Sequence, residues 1–411
     1  MTSHLIINAP IVDGAHSERS APMQVLVENG IIIDVDKSIS SSKAEVIDAG
    51  GRTLMPGLID CHVHVIACLA DLGRNAMLPD SLVTARASRI MRGMLMRGFT
   101  TVRDVGGADF GLKIAMDEGL IEGPRLVISG KALSQTGGHC DFRGRFDDSP
   151  ARSNGHRLGS LGRLCDGDAE VRRAVREEIK AGADFIKVMA NGGCASPTDP
   201  IHFLGFSKSE LMAIVEEAAN AGTYVAAHVY TDAAIRRAVD CGIRSLEHCN
   251  LIGEETALRA VEAGCIAVPT LVTYDKLSSE GLQLGFPADS VAKVENVRIA
   301  GMESLEIMRR VGLPMAYGSD LLGDMHKHQS DEFVIRGQVL PAQDVIASAT
   351  SVGARLLGAE SRIGSVSPGF EADLILVDGN PLDDLRLLSG QGQHMPLIMQ
   401  QGRIVKHCAL N

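Results

Sequence analysis

Between about residue 99 and residue 320 the chain alternates short apolar runs with longer mixed stretches. The runs read GFTTVRDVG, PRLVISG, ADFIKVMAN, TYVAAHVY, SLEHCNL, CIAVPTL and PMAYGSD. Each is short, rich in aliphatic and β-branched side chains and bounded by turn residues, as a buried strand is. Between them DAEVRRAVREEIKAGA, SKSELMAIVEEAANAGT, DAAIRRAVDCGI and GEETALRAVEAGC read as helices. All four run into Gly, the residue best suited to a left-handed helix end. Strand–helix alternation repeated this often predicts parallel βα units. Eight such units close a (β/α)8 TIM barrel, in which functional side chains gather at the C-terminal ends of the strands. The competing α/β architecture is a doubly wound open sheet, which the lack of a GxGxxG after the first strand disfavours.

The two ends have another texture. Residues 4 to about 50 give LIINAPIVDG, MQVLVENGIIIDV and AEVIDAGGRTL; from about 364 come IGSVSPGFEADLILVDG and PLIMQQGRIVKH. Apolar runs broken by Gly and Asp turns predict short β-strands. The shared pattern predicts one small β domain built from residues 1–56 and 364–411, with the α/β domain over residues 57–363.

Most of the apolar runs end in a residue with chemistry. PGLIDCHVHV carries His62 and His64, FIKVM carries Lys187, VAAHVY carries His228 and Tyr230, SLEHCN carries His248, and MAYGSD carries Asp320. In a strand, residues i and i+2 share a face, so His62 and His64 point one way and Cys61 and Val63 the other. The same rule pairs His228 with Tyr230. A single His at a strand end is more often a core or surface residue than a ligand. Four of them with a carboxylate, each at a predicted strand end, suit a divalent transition metal such as zinc, and the number of donors suits a pair of metals. Lys187 has two readings. An ammonium cannot ligate a metal and is costly to bury, so on the residues alone pairing with a carboxylate comes first. The alternative is carbamylation by carbon dioxide, since burial lowers a lysine pKa and leaves a reactive amine. His139, in QTGGHCDF, lies in a Gly-rich loop. His156, His326, His328 and His394 lie in loop-like contexts and receive no role.

Composition narrows the class. The 411 residues are 45% hydrophobic, enough for a sizeable core, and no apolar run is long enough to span a bilayer. The N-terminus, MTSHLIINAPIVDG, has neither the basic region nor the long apolar core of a signal peptide. Nine scattered cysteines without CxxC spacing read as reduced thiols of a cytoplasmic enzyme. A net charge of −11, few aromatics and no Trp argue against nucleic acid as a partner.

PGLIDCHVH, a strand-end Lys, two later strand-end His and GSD resemble the amidohydrolase superfamily. MRGFTTVRDVGG, EGPRLVISGKALSQTGGHCD, GADFIKVMANGG and IGSVSPGFEADLILVDGNP resemble its imidazolonepropionase-related branch and, within it, the prolidase-like dipeptidases. The likeness runs over nearly the whole chain and implies a TIM barrel with a β-sandwich split between the two ends. It implies two divalent metals, zinc by preference. His62, His64 and Asp320 would hold the more buried ion, His228 and His248 the second, and Lys187, as carbamate, would bridge them. A hydroxide between the metals would be the nucleophile. Asp320 would orient it and carry its proton to the leaving amine. His139 would assist at the scissile carbonyl or the substrate carboxylate, and Tyr230 would hydrogen-bond the substrate's α-carboxylate. The sequence departs from the branch at Cys140, Asn191 and Cys194, none of them a ligand position.

The expected activity is cleavage of Xaa-Pro or a similar dipeptide by a homo-oligomeric enzyme with no nucleic-acid or membrane partner. N-acyl amino acids and dipeptides ending in Lys or Arg are alternatives. Asp141, Asp147 and Asp148 after His139 are placed for a cationic substrate, although Arg143 and Arg145 share their loop. Cyclic-amide hydrolysis, deamination and a non-catalytic binding role complete the field. Lys187 argues against mononuclear deaminases, and six filled ligand positions argue against an inactive relative.

Overall fold

The computed structural model describes residues 3–14, 16, 18–150, 155–194, 198–285 and 288–408. The chain forms two compact units, one of Met1–Asp60, Arg92–Thr101 and Ser330–Asn411, the other of Cys61–Met91 and Val102–Gln329.

The first unit holds two four-stranded sheets. One runs Ile31–Asp36, Met23–Glu28, Ser3–Ala9, Glu45–Asp48, antiparallel except for the last pair. Its tightest turn is Asn29-Gly30, with φ of 51° and 85°. Two consecutive left-handed residues make the turn whose twist matches its flanking strands, which is why Asn-Gly serves there. The other sheet runs Arg403–His407, Leu397–Gln400, Leu374–Val377, Thr53–Pro56, antiparallel throughout. Pairing of Met55 with Ile375 therefore joins the two ends of the chain in one sheet. Ile6, Val25, Val27 and Ile32 of the first sheet share one buried cluster with Leu54, Leu374, Leu376 and Met399 of the second.

The second unit is α/β. Its six-stranded sheet runs Gly162–Leu164, Ala132–Ser134, Ile186–Met189, Val225–Thr231, Ser245–Leu251, Ile266–Val268, parallel at every pairing. The helices Lys208–Asn220, Asp232–Asp240 and Glu254–Glu262 link the last four strands in turn. The strands are buried along nearly their whole length, so they read as unbroken apolar runs rather than alternating ones. Helix Lys208–Asn220 starts on a capping box, Ser207 and Glu210 each satisfying the other's backbone N–H. It and the helices Asp168–Lys180, Asp232–Asp240 and Glu254–Glu262 stop two residues before Gly222, Gly182, Gly242 and Gly264.

Two details differ from the sequence reading. The strands Ala132–Ser134 and Gly162–Leu164, three residues each, were not expected. PMAYGSD, expected as a strand, makes a single bridge, Met315 to Ala267. Pro314 has no N–H to give a ladder and offers only its carbonyl, to Ala267 N. Beyond it the chain turns to the other neighbour: Tyr317 O accepts from Cys61 N at 2.7 Å, and Asp320 N donates to His62 O at 2.8 Å. That second attachment puts Asp320 beside the histidines. No helix among the described residues is long and apolar enough to cross a membrane.

Candidate metal centre

His62 lies near the end of strand Leu58–Val63 and His64 just beyond it. Lys187, His228 with Tyr230, and His248 come from three successive strands of the parallel sheet. Asp320 comes from the segment hydrogen-bonded to His62. All seven side chains, with His139, line one cavity.

The two halves of HVH converge on Asp320. Its Oδ1 is 3.4 Å from His62 Nε2 and 3.3 Å from His64 Nε2, and its Oδ2 is 3.9 Å from His248 Nδ1. Side-chain donor atoms of His62, His248 and Asp320 all lie within 4.8 Å of one another. His228 Nδ1 and His248 Nε2 are 2.9 Å apart. The backbone is bent to achieve this: His248 has φ 76° and Asp320 φ 51°, left-handed values that side chains with a Cβ rarely adopt. Close approach is also needed at Gly318, where a Cβ would stand 2.6 Å from Val268 and 2.9 Å from the His62 Cβ.

Burial acts against charge on Asp320, but the surrounding imidazoles outweigh it and hold the carboxyl well below the usual range. Burial, followed by the neighbouring imidazoles, pushes His228 and His248 well below the ordinary histidine value. They are therefore neutral, the form that ligates a metal. Nitrogen and oxygen donors gathered this closely fit a divalent transition ion.

Lys187 is 1% exposed and forms no hydrogen bond or ion pair with a described residue. The carboxylate partner considered first for it is thus absent among the described residues. Burial lowers its pKa, partly opposed by Glu247 and Asp320.

Behind the histidines stand residues to which the sequence reading gave no role. Glu247 Oε2 is 2.7 Å from His62 Nδ1, and its Oε1 accepts from Arg103 Nη2 at 2.8 Å. Arg103 also donates through Nε to Cys61 O at 2.6 Å and through Nη1 to Ser245 Oγ at 3.1 Å. Arg103 and Glu247 are fully buried. Burial alone would raise the Glu247 carboxyl, but Arg103 and then His62 hold it far below the normal range. His64 Nδ1 is 3.0 Å from the Gly106 carbonyl. His248 Nδ1 meets Thr270 Oγ1 at 2.8 Å and Tyr274 Oη at 3.0 Å. Such outer partners fix which ring nitrogen faces a metal. The quoted motifs TTVRDVGG and SLEHCN already held Arg103 and Glu247, but no local pattern tied them together across 144 positions.

His139 lies flat on His228, with ring centroids 4.3 Å apart at 19°, and its Nδ1 is 3.1 Å from Asp199 Oδ2. Gly193 leaves room for the ring: a Cβ there would stand 2.0 Å from His139 Cε1. Tyr230 stacks on His248 at 5.0 Å and 20°. Asn191 is structural: its Oδ1 accepts from Tyr230 N at 2.8 Å and its Nδ2 donates to the Ile201 and Phe203 carbonyls at 2.7 Å.

The rest of the cavity wall is mostly apolar, with Leu72, Phe142, Leu161, Met189, Leu277 and Leu322 beside Cys140 and Cys194, and adds the hydroxyls of Thr273 and Tyr274. Burial pushes the Cys140 thiol up to about 12, so it packs as a small apolar group. Asp320 is the one carboxylate among the lining residues. Asp141 and Asp147 open instead on an adjoining cavity with Arg143. There Arg143 grips Asp141 at 2.8 Å through Nε and 2.7 Å through Nη2. None of the nine cysteines is in a disulfide.

Imidazoles and a carboxylate converging near the ends of parallel strands, beside an apolar cavity, are the makings of a metal-dependent hydrolase. The chain belongs to the Amidohydrolase family, whose family model covers residues 53–405. It is 35% identical to an ochratoxinase of Aspergillus niger over 357 residues, which span 81% of this chain and 72% of the relative. A solved amidohydrolase structure is 53% identical and superposes with a TM-score of 0.98 over the full length of both chains. A prolidase structure solved with N-methylphosphonate-L-proline is 46% identical, with a TM-score of 0.97, covering 99% of this chain and 100% of the other.

Proposed function

We propose that this hydrolase cleaves the amide bond of dipeptides and releases an apolar C-terminal residue, proline first among them. The observation that carries the reading is the cavity wall: beyond the imidazoles, Lys187, two phenols, the Thr273 hydroxyl and Asp320, which is its one carboxylate among the described residues, the lining is apolar. A released Lys or Arg would find no counter-charge there, because Asp141 is paired with Arg143 in the neighbouring cavity. The likeness to a prolidase bearing a proline phosphonate supports the same choice. In this reading the parallel strands close as a (β/α)8 barrel, and the sheets built from the chain ends form a β-sandwich.

His62, His64 and Asp320 would hold one divalent ion and His228 and His248 a second, zinc by preference, with carbamylated Lys187 between them. When bound, the ions would polarise the amide carbonyl and acidify a water molecule. The chain's own residues do the rest. Asp320, kept ionised, takes a proton and delivers it to the leaving amine. His139, held by Asp199, meets the scissile carbonyl. Tyr230 donates to the C-terminal carboxylate of the substrate. Lys187 suits carbamylation because it is buried, unpaired among the described residues and lowered in pKa.

The likeness to an ochratoxinase favours a second reading, an N-acyl amino acid in place of the dipeptide. Both are tested by one assay. Zinc-loaded protein is given a library of Ala-Xaa dipeptides and N-acetyl amino acids, and the released amino acids are quantified. Release of proline or another apolar residue is expected; preferential release of Lys or Arg would overturn the choice of pocket.

A further inference from the structure

Tyr274 lies in the first turn of helix Leu271–Glu280, immediately after strand Ile266–Val268 and Thr270. It is 1% exposed, and its hydroxyl meets three polar groups. It donates to Tyr230 Oη at 3.0 Å. His248 Nδ1 stands 3.0 Å and Thr270 Oγ1 3.3 Å from the same oxygen.

A phenol has one proton. Given to Tyr230, it leaves the Tyr274 oxygen as acceptor for His248 Nδ1–H or the Thr270 hydroxyl. With His248 protonated on Nδ1, this order runs from His248 and Thr270 through Tyr274 to Tyr230. The Tyr230 oxygen is then occupied as an acceptor, and its own proton has no acceptor among the described residues. Because Tyr230 lines the cavity, that proton is the one free to face a substrate. Stacking on His248 and an edge contact with His228, at 4.8 Å and 88°, keep the ring from turning away.

From this arrangement we infer that Tyr274 is a positioning residue for substrate specificity: by donating to Tyr230 it aims the Tyr230 hydroxyl at the substrate's carboxylate and strengthens it as a donor. Hydrogen bonds in series polarise one another, so a phenol that accepts one bond donates a better one. The inference rests on the proposal that Tyr230 meets a free carboxylate, and it adds that discrimination between an acid and its amide depends on a residue behind Tyr230.

The test compares Ala-Pro with Ala-prolinamide on zinc-loaded protein, with the metal count measured for every variant. Tyr274→Phe keeps the ring and removes the proton. Thr270 still holds His248 Nδ1 in the variant, so KM for Ala-Pro should rise on the order of fivefold and clearly more than KM for the amide, with any loss of kcat shared equally by the two substrates. Tyr230→Phe should raise KM for the acid further. The double variant should discriminate no worse than Tyr230→Phe alone, since the two hydroxyls act in series. An unchanged acid-to-amide ratio in Tyr274→Phe would overturn the inference, as would losses that simply add. If Tyr230→Phe itself leaves the ratio unchanged, the carboxylate contact fails and the inference falls with it; the two Tyr274 outcomes leave the contact standing. Should Tyr274→Phe lose metal or fold poorly, a fluorinated tyrosine at position 274 keeps the shape and donates more strongly. KM for Ala-Pro should then fall, and an unchanged KM would refute the relay.

Discussion

The two walls of the site are backed in different ways. Behind His62 stand a fully buried carboxylate and guanidinium, Glu247 and Arg103. Against His248 Nδ1 stand the hydroxyls of Thr270 and Tyr274, both closer than the Asp320 carboxylate at 3.9 Å, and behind His228 the Gly192 carbonyl at 3.4 Å. An anionic partner makes an imidazole a stronger ligand and fixes its orientation firmly. Neutral partners fix orientation with less effect on basicity. Under the proposed function the comparison teaches a division of labour: the ionic wall would anchor, and the hydroxyl wall would connect ligand to substrate.

The largest expected effect comes from the residue between the walls. Lys187→Ala should lose metal and lower kcat/KM by about 10³-fold or more, because metal assistance contributes several kcal/mol to such reactions. Short carboxylic acids should restore part of both. Full activity without any additive would remove the carbamate from the mechanism. Asp320→Asn comes next: part of the metal stays, and turnover falls on the order of 10²- to 10⁴-fold, the usual size of a lost general base. A near-native rate would show that another group takes the proton.

Glu247→Gln sharpens the comparison directly, since it leaves Arg103 buried without its counter-charge. Stability in urea should drop by about 3–5 kcal/mol, and the metal bound per chain should fall. The pH dependence has a definite sign. Glu247 is depressed in the folded state, so its contribution is fully present above the ordinary glutamate value of about 4.3 and is lost as pH falls from there toward the folded value. Wild-type protein should therefore lose stability with acid over that window more steeply than Glu247→Gln. Identical acid profiles would mean that the ionic wall is not anchored by charge. The smallest expected effect is that of Arg143→Ala, which frees Asp141 in the adjoining cavity. Cleavage of Ala-Lys should stay within about twofold of wild type; a clear gain would place Asp141 in the substrate pocket after all.

Much of the anchoring residues' placement was legible in the sequence, and the reason is local. His62 and His64 are two apart in one strand, so strand periodicity alone gives them a common face. Lys187, His228 and His248 each sit in a short apolar run whose boundaries are marked by Gly and charged residues. The backing was not legible, because it joins remote strands: Arg103 reaches Glu247 across 144 positions, and Tyr274 reaches Tyr230 across 44. The position of Asp320 was anticipated but not its support. Pro314 prevents a regular ladder, and the chain is held instead by His62 on its other side. The acidic loop could not be read either, since the direction of Asp141 is decided by Arg143 two residues on.

The most direct test of two differently backed walls is a crystal grown with zinc and carbonate and measured at the zinc absorption edge. The account predicts two anomalous peaks, one among His62, His64 and Asp320 and one beside His228 and His248. It also predicts density extending from Lys187 Nζ between them. A single peak with a bare lysine would contradict it.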